Sequence, residues 1–125
     1  MQNISLVFHK IVLRTNVGNT DLFRPGYSHL LCFSKNGKIG KPLPDVIDKS
    51  KQYYNNSIGL KTLNLIFTFL KDKKNIHTIF DPFAGKGSIL FHAKLFNYNF
   101  VGVELLEEYC DIINKRLKQQ NIFDY

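Results

Sequence analysis

The feature that most constrains this chain is a glycine-rich turn between a short apolar run and an amphipathic segment. The run Ile76 to Phe80 is too short for a helix and ends at an acid, which is typical of a buried parallel strand. A second short apolar run, Phe100 to Val103, ends at Glu104. The turn between them reads Asp81-Pro82-Phe83-Ala84-Gly85-Lys86-Gly87-Ser88. The order strand, glycine turn, helix, strand and acid predicts an α/β fold that binds a nucleoside-containing ligand.

The spacing between the turn and the second acid indicates what the acid does. Gly85 and Gly87 are separated by one residue, and their lack of a Cβ lets the backbone turn sharply and approach a ligand closely. Glu104 lies 23 positions after Asp81 and 19 positions after Gly85. At this spacing a carboxylate at the tip of the second strand can accept hydrogen bonds from both hydroxyls of a ribose.

Two common nucleotide-binding motifs do not fit the turn. The dinucleotide fingerprint needs a third glycine at position 90, where the sequence has Leu90. The phosphate-binding loop of nucleotide hydrolases needs a glycine at position 80, which is Phe80, and a Ser or Thr directly after the lysine, where Gly87 stands. An acid followed by proline and an aromatic residue suits a cationic ligand such as the sulfonium and amino group of S-adenosylmethionine (SAM).

These residues resemble the SAM-binding motif of amino-methylating nucleic-acid methyltransferases of the N6-adenine and N4-cytosine type. Members often read Asp-Pro-Phe-x-Gly-x-Gly-Ser/Thr, then an aliphatic-Gly-aliphatic-Glu strand and a tyrosine, here Tyr109. The resemblance implies that Glu104 holds the ribose, Asp81 faces the methionine moiety, and backbone amides from Phe83 to Gly87 line the cofactor. It implies a cofactor site made of Asp45, Asp81, Pro82, Phe83, Ala84, Gly85, Gly87, Ser88, Glu104 and Leu105.

The resemblance extends upstream in the permuted order, in which the SAM motif comes late in the chain. The segment Arg24-Pro25-x-Tyr27-Ser28-His29 is similar to a strand segment of these enzymes and is shared with uncharacterised methyltransferase-like proteins. Pro44-Asp45-Val46 stands where a Pro-x-Asp-Val segment is expected. Residues 56–61 keep the lysine of a His-Pro-x-x-Lys-Pro stretch but lack both prolines and the histidine.

One departure from the family bears on catalysis. Amino-methylating enzymes carry a Pro-Pro-aromatic segment that grips the target amino group, and no two prolines are adjacent in this sequence. In the permuted order we expect that segment upstream of Met1, so the chain resembles the C-terminal, cofactor-binding half of a methyltransferase. No catalytic residue is assigned. Two hypotheses stay open: a SAM-dependent methyltransferase, or a SAM-binding or structural module that works with a partner chain.

The charge distribution bears on the methyl acceptor. The net charge is +7, and residues 1–75 carry 12 basic and 4 acidic side chains whereas residues 76–125 carry 5 and 6. A basic first part is the electrostatic pattern of a DNA- or RNA-binding surface. Because 14 of the 17 basic residues are lysine, a compositional bias toward lysine is an equally good explanation.

The expected fold is α/β, a partial Rossmann-like SAM-dependent methyltransferase fold in one domain, residues 1–125. Residues 1–36 form an antiparallel hairpin of Leu6 to Leu13 with Tyr27 to Ser34, and residues 37–56 form a surface loop. Residues 57–125 form the SAM-binding helix-strand-helix-strand-helix unit. The three helices cover Leu60 to Leu70, a segment that starts near Gly87 or Ser88 and ends before Asn97, and Leu106 to Leu117.

The strand Ile76 to Phe80 lacks one of its neighbours in the methyltransferase sheet. An unpaired strand exposes backbone groups, so we expect the hairpin to lie beside it, giving a mixed sheet of about four strands. Alternatively, a second copy or another polypeptide supplies the missing strands.

Other residue types exclude several classes of protein. The four histidines lack metal-ligand spacing, so no metal is expected. Two cysteines are too few for a disulfide framework, and Cys110 is expected in the core. No segment has the apolar length of a signal peptide or spanning helix, so the predicted location is intracellular, in the cytoplasm or nucleus, without a membrane partner.

Overall fold

The computed structural model describes residues 4–14, 26–35, 43–54 and 57–118. Within these ranges the secondary structure alternates as predicted between strands and helices. The elements are β1 (Ser5–Leu13), β2 (Tyr27–Ser34), β3 (Val46–Ile47), α1 (Leu60–Lys71), β4 (Thr78–Asp81), α2 (Ser88–Leu95), β5 (Asn99–Gly102) and α3 (Glu107–Lys118). The α/β class and its three helices are confirmed. The chain divides into two compact units, Met1–Asn64 and Leu65–Tyr125, and a single domain stays a prediction.

The first unit is built on a three-stranded sheet in which β1 lies between β2 and β3. β1 and β2 pair antiparallel from the Leu13–Tyr27 pair to the Ser5–Ser34 pair, so the predicted hairpin is confirmed. A β-bulge at Val7 shifts the register and places this side chain among the buried ones. The predicted connection, together with Arg24 and Pro25, lies outside the described residues.

One face of this hairpin is exposed and largely apolar. Beyond the bulge, the exposed side chains of this face occur at every second residue of a strand or at multiples of that spacing. They are Leu6, His9, Leu13, Tyr27, His29, Leu31 and Phe33. On this face the Nε2 atom of His9 lies 2.7 Å from the Nδ1 atom of His29.

The third strand corrects the loop prediction for residues 37–56. β3 pairs parallel with β1, and its Ile47 side chain is buried, so this segment contributes to the sheet. It is anchored by Lys10, whose Nζ donates hydrogen bonds to the carbonyl of Leu43 at 2.9 Å and to Oδ1 of Asp45 at 2.8 Å. Residues 36–42, 55 and 56 lie outside the described residues.

In the second unit β4 and β5 pair in parallel, with Thr78 opposite Asn99 and Asp81 opposite Gly102. The connecting helix α2 packs on them and on α3, around a core of Ala84, Leu90 and Ile113 with Phe100 and Leu117. Gly102 allows this packing, because a Cβ at that position would lie 2.3 Å from Cδ1 of the buried Leu90.

An aromatic cluster fills the other part of this unit. The ring of buried Phe67 lies 5.2 Å from that of Phe96 and 5.5 Å from that of His92, measured between centroids. The His92 side chain is itself buried and stacks on Phe96. Burial lowers the pKa of His92 to about 4, because the charged imidazolium loses its hydration there.

The sheet pairing corrects one expectation about the hairpin. Among the described residues β4 pairs with β5 alone, and the hairpin pairs with β3. The prediction of a single four-stranded sheet in which the hairpin pairs with the SAM strand is therefore wrong, since the described strands form two separate sheets. The alternative, strands supplied by another copy or chain, stays a prediction. No helix in the described ranges is long and apolar enough to cross a membrane.

Candidate cofactor site

The candidate site lies at the carboxyl ends of β4 and β5, the position where parallel α/β sheets bind ligands. Backbone pairing continues past the ends of both strands. The Val103 amide donates to the Asp81 carbonyl, and the Ala84 amide donates to the Val103 carbonyl, each at 2.9 Å. These bonds hold the glycine turn beside the residues that follow β5.

The Glu104 side chain joins the two segments. Its Oε2 atom accepts a hydrogen bond from the Gly85 amide at 2.8 Å, and its Oε1 atom accepts one from the Leu106 amide at 2.9 Å. The structure thus brings together the carboxylate and the glycine turn, which the sequence predicts as parts of one cofactor site. Each carboxylate oxygen has a second lone-pair direction, so the group can still accept hydrogen bonds from a ligand's hydroxyls.

Asp81 shapes the start of the turn. Its Oδ1 atom accepts a hydrogen bond from the Phe83 amide at 3.1 Å, two residues on, which is an Asx turn. The N-cap of α2 is Gly87, which makes no side-chain capping bond. A role for Asp81 as the cap of the following helix is therefore excluded.

The two glycines of the turn are required by its backbone. Gly85 has φ 54° and Gly87 has φ 81°, both in the left-handed region that side chains disfavour. A Cβ at Gly87 would also lie 2.8 Å from Cγ1 of Ile113. The tight turn predicted from the sequence is confirmed, and its close approach to a ligand stays a prediction.

Two apolar side chains beside the acids are almost fully exposed. Phe83 is 89% exposed and Leu105 is 95% exposed, while Pro82 next to Phe83 is also exposed. Apolar side chains grouped at the end of a sheet are typical of a surface that a ligand covers. They offer contacts for the flat apolar faces of a purine base.

Ser88 provides a direct test of whether a polar ligand fits this turn. Its side chain is 4% exposed, and its Oγ atom has no hydrogen-bond partner among the described residues. Buried hydroxyls are nearly always hydrogen-bonded, because an unsatisfied one costs about 1–3 kcal/mol. An unpartnered hydroxyl at the end of a glycine turn fits a polar cofactor. Ala84, by contrast, packs in the core.

One predicted site residue lies in the other unit. Asp45 pairs with Lys10, and this hydrogen-bonded ammonium holds the pKa of the Asp45 carboxyl below its ordinary value. Its contribution to a cofactor site stays a prediction. No group of three or more metal-ligating side chains occurs among the residues that the structure describes.

Lys86 and Arg116 lie near or in the turn, and the sequence did not predict either of them as a site residue. The Lys86 Nζ lies 5.2 Å from the centroid of the Tyr109 ring. The Arg116 side chain is buried and donates a hydrogen bond from Nη1 to the Lys86 carbonyl at 3.1 Å. Arg116 follows Ile113 by three positions, which places it on the buried helix face, and this spacing was the available signal.

A family match includes the segment that carries the candidate site. Residues 72–115 match the family model described as DNA methylase. Over 40 residues the chain is 50% identical to the orphan methyltransferase M.BamHII of Bacillus amyloliquefaciens, a stretch that covers 32% of this chain and 15% of that protein. The predicted resemblance to amino-methylating methyltransferases is confirmed.

Solved structures with the same fold include M1.HpyAVI, which has also been crystallised as a SAM complex. The chain superposes on M1.HpyAVI with a TM-score of 0.64 at 22% identity, covering 93% of this chain and 61% of that one. It superposes on TTHA0409 of Thermus thermophilus, crystallised with SAM, with a TM-score of 0.60 at 19% identity, covering 91% and 53%. The fold is that of SAM-dependent methyltransferases, and the chain spans between half and two thirds of these neighbours.

Proposed function

We propose that the chain binds SAM at the glycine turn and takes part in methyl transfer to an amino group of a DNA base. The observation that carries this proposal is Glu104, a carboxylate fixed by two backbone amides beside a turn of left-handed glycines. The DNA methylase match over residues 72–115 and the SAM complexes of the fold neighbours support it.

In this proposal, different residues of the turn and its surroundings contact different parts of the cofactor. Glu104 accepts hydrogen bonds from the ribose hydroxyls, and the exposed Leu105 and Phe83 contact the apolar parts of the ligand. Asp81, at the start of the turn, faces the cationic methionine end. The Ser88 hydroxyl gains the hydrogen-bond partner that it lacks.

The reaction requires no covalent bond between the protein and its substrates. When bound, SAM supplies a methyl group on a sulfonium, which an amine nitrogen displaces in line. The contribution of this chain is to fix the cofactor, because orientation converts an encounter into an effectively unimolecular step. The acceptor base needs groups that grip its amino nitrogen, and this sequence has no Pro-Pro-aromatic segment for that purpose.

That absence favours a second candidate function, a SAM-binding module that works with a partner chain. Both candidates predict cofactor binding, and they differ in whether the chain alone transfers a methyl group. A binding assay followed by a transfer assay therefore separates them.

The binding assay is calorimetry with S-adenosylhomocysteine (SAH), the demethylated product. We expect micromolar to millimolar affinity, and we expect Glu104→Ala to weaken it by about 1–3 kcal/mol, the range for leaving hydrogen-bonding partners of a charge unpaired. Glu107→Ala is the matched control, since Glu107 is an exposed acid at the start of α3. No binding by the wild type at millimolar SAH would contradict the proposal, and unchanged affinity in Glu104→Ala would remove the ribose role.

The variant Ser88→Ala gives a second test, because it should change the stability of the free protein and the affinity for SAH in opposite directions. The ligand-free protein becomes more stable, because a buried unpartnered hydroxyl is removed, while SAH binding weakens. Thermal melting with and without SAH measures both. A variant that melts at the same temperature and binds equally well would show that Ser88 does not contact the cofactor.

The acceptor is tested with labelled SAM and DNA or RNA duplexes at several salt concentrations. The logarithm of the DNA-binding constant is plotted against the logarithm of the salt concentration. A slope of about −0.9 for each phosphate neutralised supports a DNA substrate. Label transfer by this chain alone supports the enzyme. Cofactor binding without transfer supports the module.

A further inference from the structure

Helix α3 contacts the glycine turn at two points. The Arg116 Nη1 atom donates a hydrogen bond to the Lys86 carbonyl at 3.1 Å, and the Arg116 side chain is only 6% exposed. One helical turn earlier, Ile113 occupies the space beside Gly87 where a Cβ would lie. Since residues three apart share a helix face, α3 directs both side chains at the same turn.

The hydrogen bond from Arg116 reaches the most constrained part of this turn. The Lys86 carbonyl lies between Gly85 and Gly87, which both have positive φ and which, lacking a Cβ, have a wider range of backbone conformations than other residues. A guanidinium is a permanently charged donor, and its hydrogen bonds are stronger than those between neutral groups. The Gly87 amide of the same peptide group donates to the Ala84 carbonyl at 2.8 Å, and Arg116 adds a second restraint at the carbonyl end of that group.

The same turn is held at its other end by Glu104. The Gly85 amide donates to Oε2 of Glu104 at 2.8 Å, so the positions of the carboxylate and of the turn depend on each other. One peptide group separates the Lys86 carbonyl from the Gly85 amide, and we expect a change in the path of the turn at Lys86 to shift the Gly85 amide as well. The cofactor-binding carboxylate would then lose one of the two amides that fix it.

We propose that Arg116 is a positioning residue for the cofactor site, acting through the Lys86 carbonyl on the turn that holds Glu104. This inference rests on the proposed function, since it concerns the affinity for SAM. Arg116 itself contacts no ligand in this role.

The test compares three single variants of the full chain by calorimetry with SAH, well below their melting temperatures. Arg116→Met keeps the length of the side chain and removes its donors, and we expect about tenfold weaker binding, the factor that corresponds to one charge-assisted hydrogen bond. Arg116→Lys retains a charged donor and should restore affinity to within roughly threefold of the wild type. Lys115→Met removes an exposed positive charge from the neighbouring position and should leave affinity unchanged.

Amide hydrogen exchange in the ligand-free protein distinguishes local positioning of the turn from a general contribution to stability, because only the first changes the turn amides selectively. We expect Arg116→Met to accelerate exchange of the Gly85 and Gly87 amides while the amides of β4 and β5 keep their rates. Uniform acceleration with unchanged SAH affinity would overturn the proposal. If Arg116→Met does not fold, Arg116→Gln takes its place, with the same selective acceleration expected.

The two proposals fail in different ways. A wild-type chain that does not bind SAH contradicts the proposed function, whereas glycine amides that exchange equally fast in wild type and variant contradict the role of Arg116. Equal SAH affinity in wild type and Arg116→Met also contradicts it, whatever the melting temperatures are.

Discussion

Lys10 in the first unit and His92 in the second are both basic side chains with less than a tenth of their surface exposed. Lys10 reaches a carboxylate and a carbonyl at the end of its long side chain, so its burial is compensated by direct partners. His92 lies among aromatic rings, and its pKa falls to about 4. A buried basic group can therefore keep its charge beside a counterion or lose its charge, and the neighbouring residues determine which of the two occurs.

The largest effect that tests this comparison is the pH dependence of stability. The folded state holds His92 neutral down to about pH 4, whereas the unfolded chain protonates it near its ordinary pKa of 6.5. The unfolded state therefore binds more protons between these values, and stability falls as the pH falls from 6.5 to 4, by up to about 3 kcal/mol. Denaturant unfolding at several pH values measures this.

His92→Phe should remove most of that slope, because a phenyl ring fills the site without a titrating group. His77→Gln is the matched control, since His77 is exposed and its replacement should leave the slope intact. A slope that persists in His92→Phe would show that other groups cause the acid sensitivity.

The next effect separates the stem of Lys10 from its charge. We expect Lys10→Ala to destabilise the protein by about 2 kcal/mol, because it removes a buried aliphatic stem together with the ion pair. Lys10→Met keeps the stem and should cost less than about 1 kcal/mol, since the carboxylate left behind is exposed to water. If both variants cost the same, the stem contributes nothing and the ion pair carries the effect.

The smallest effect is on the acid that pairs with Lys10. The hydrogen bond from Lys10 holds the pKa of Asp45 below its ordinary value of 3.8. In Lys10→Met that pKa should rise toward the ordinary value, as an NMR titration of the Asp45 carboxyl carbon can measure. The contribution of this pairing to stability is present above the ordinary pKa and is lost as the pH falls through the lowered one.

The sequence predicts best what is encoded by local pattern and fixed spacing. Gly85 and Glu104 are 19 positions apart and form a hydrogen bond, because only α2 and β5 lie between them and β5 returns the chain to the edge at which β4 ends. Two β-prone runs joined by a segment of turn-forming residues likewise predict the hairpin. β3 was missed because two residues in a segment rich in proline and lysine show no period, and its pairing depends on β1, about 35 positions earlier.

Arg116 was missed for a related reason. A basic residue near the C-terminal end of a helix is usually solvated and favoured by the helix dipole, and the sequence supports that interpretation for Arg116. Its burial depends instead on a carbonyl 30 positions earlier, in a turn whose path the sequence alone does not define. Tertiary contacts of this kind override local propensity.

The amide bonds of Glu104 have a consequence for the speed of ligand exchange. The carboxylate is already oriented by the Gly85 and Leu106 amides before a ligand arrives, so its ordering belongs to folding and not to binding. For the nucleoside ligand that we propose, this acceptor need not rearrange, so its ordering adds no cost to association. Differences in affinity between related ligands then arise in their residence times.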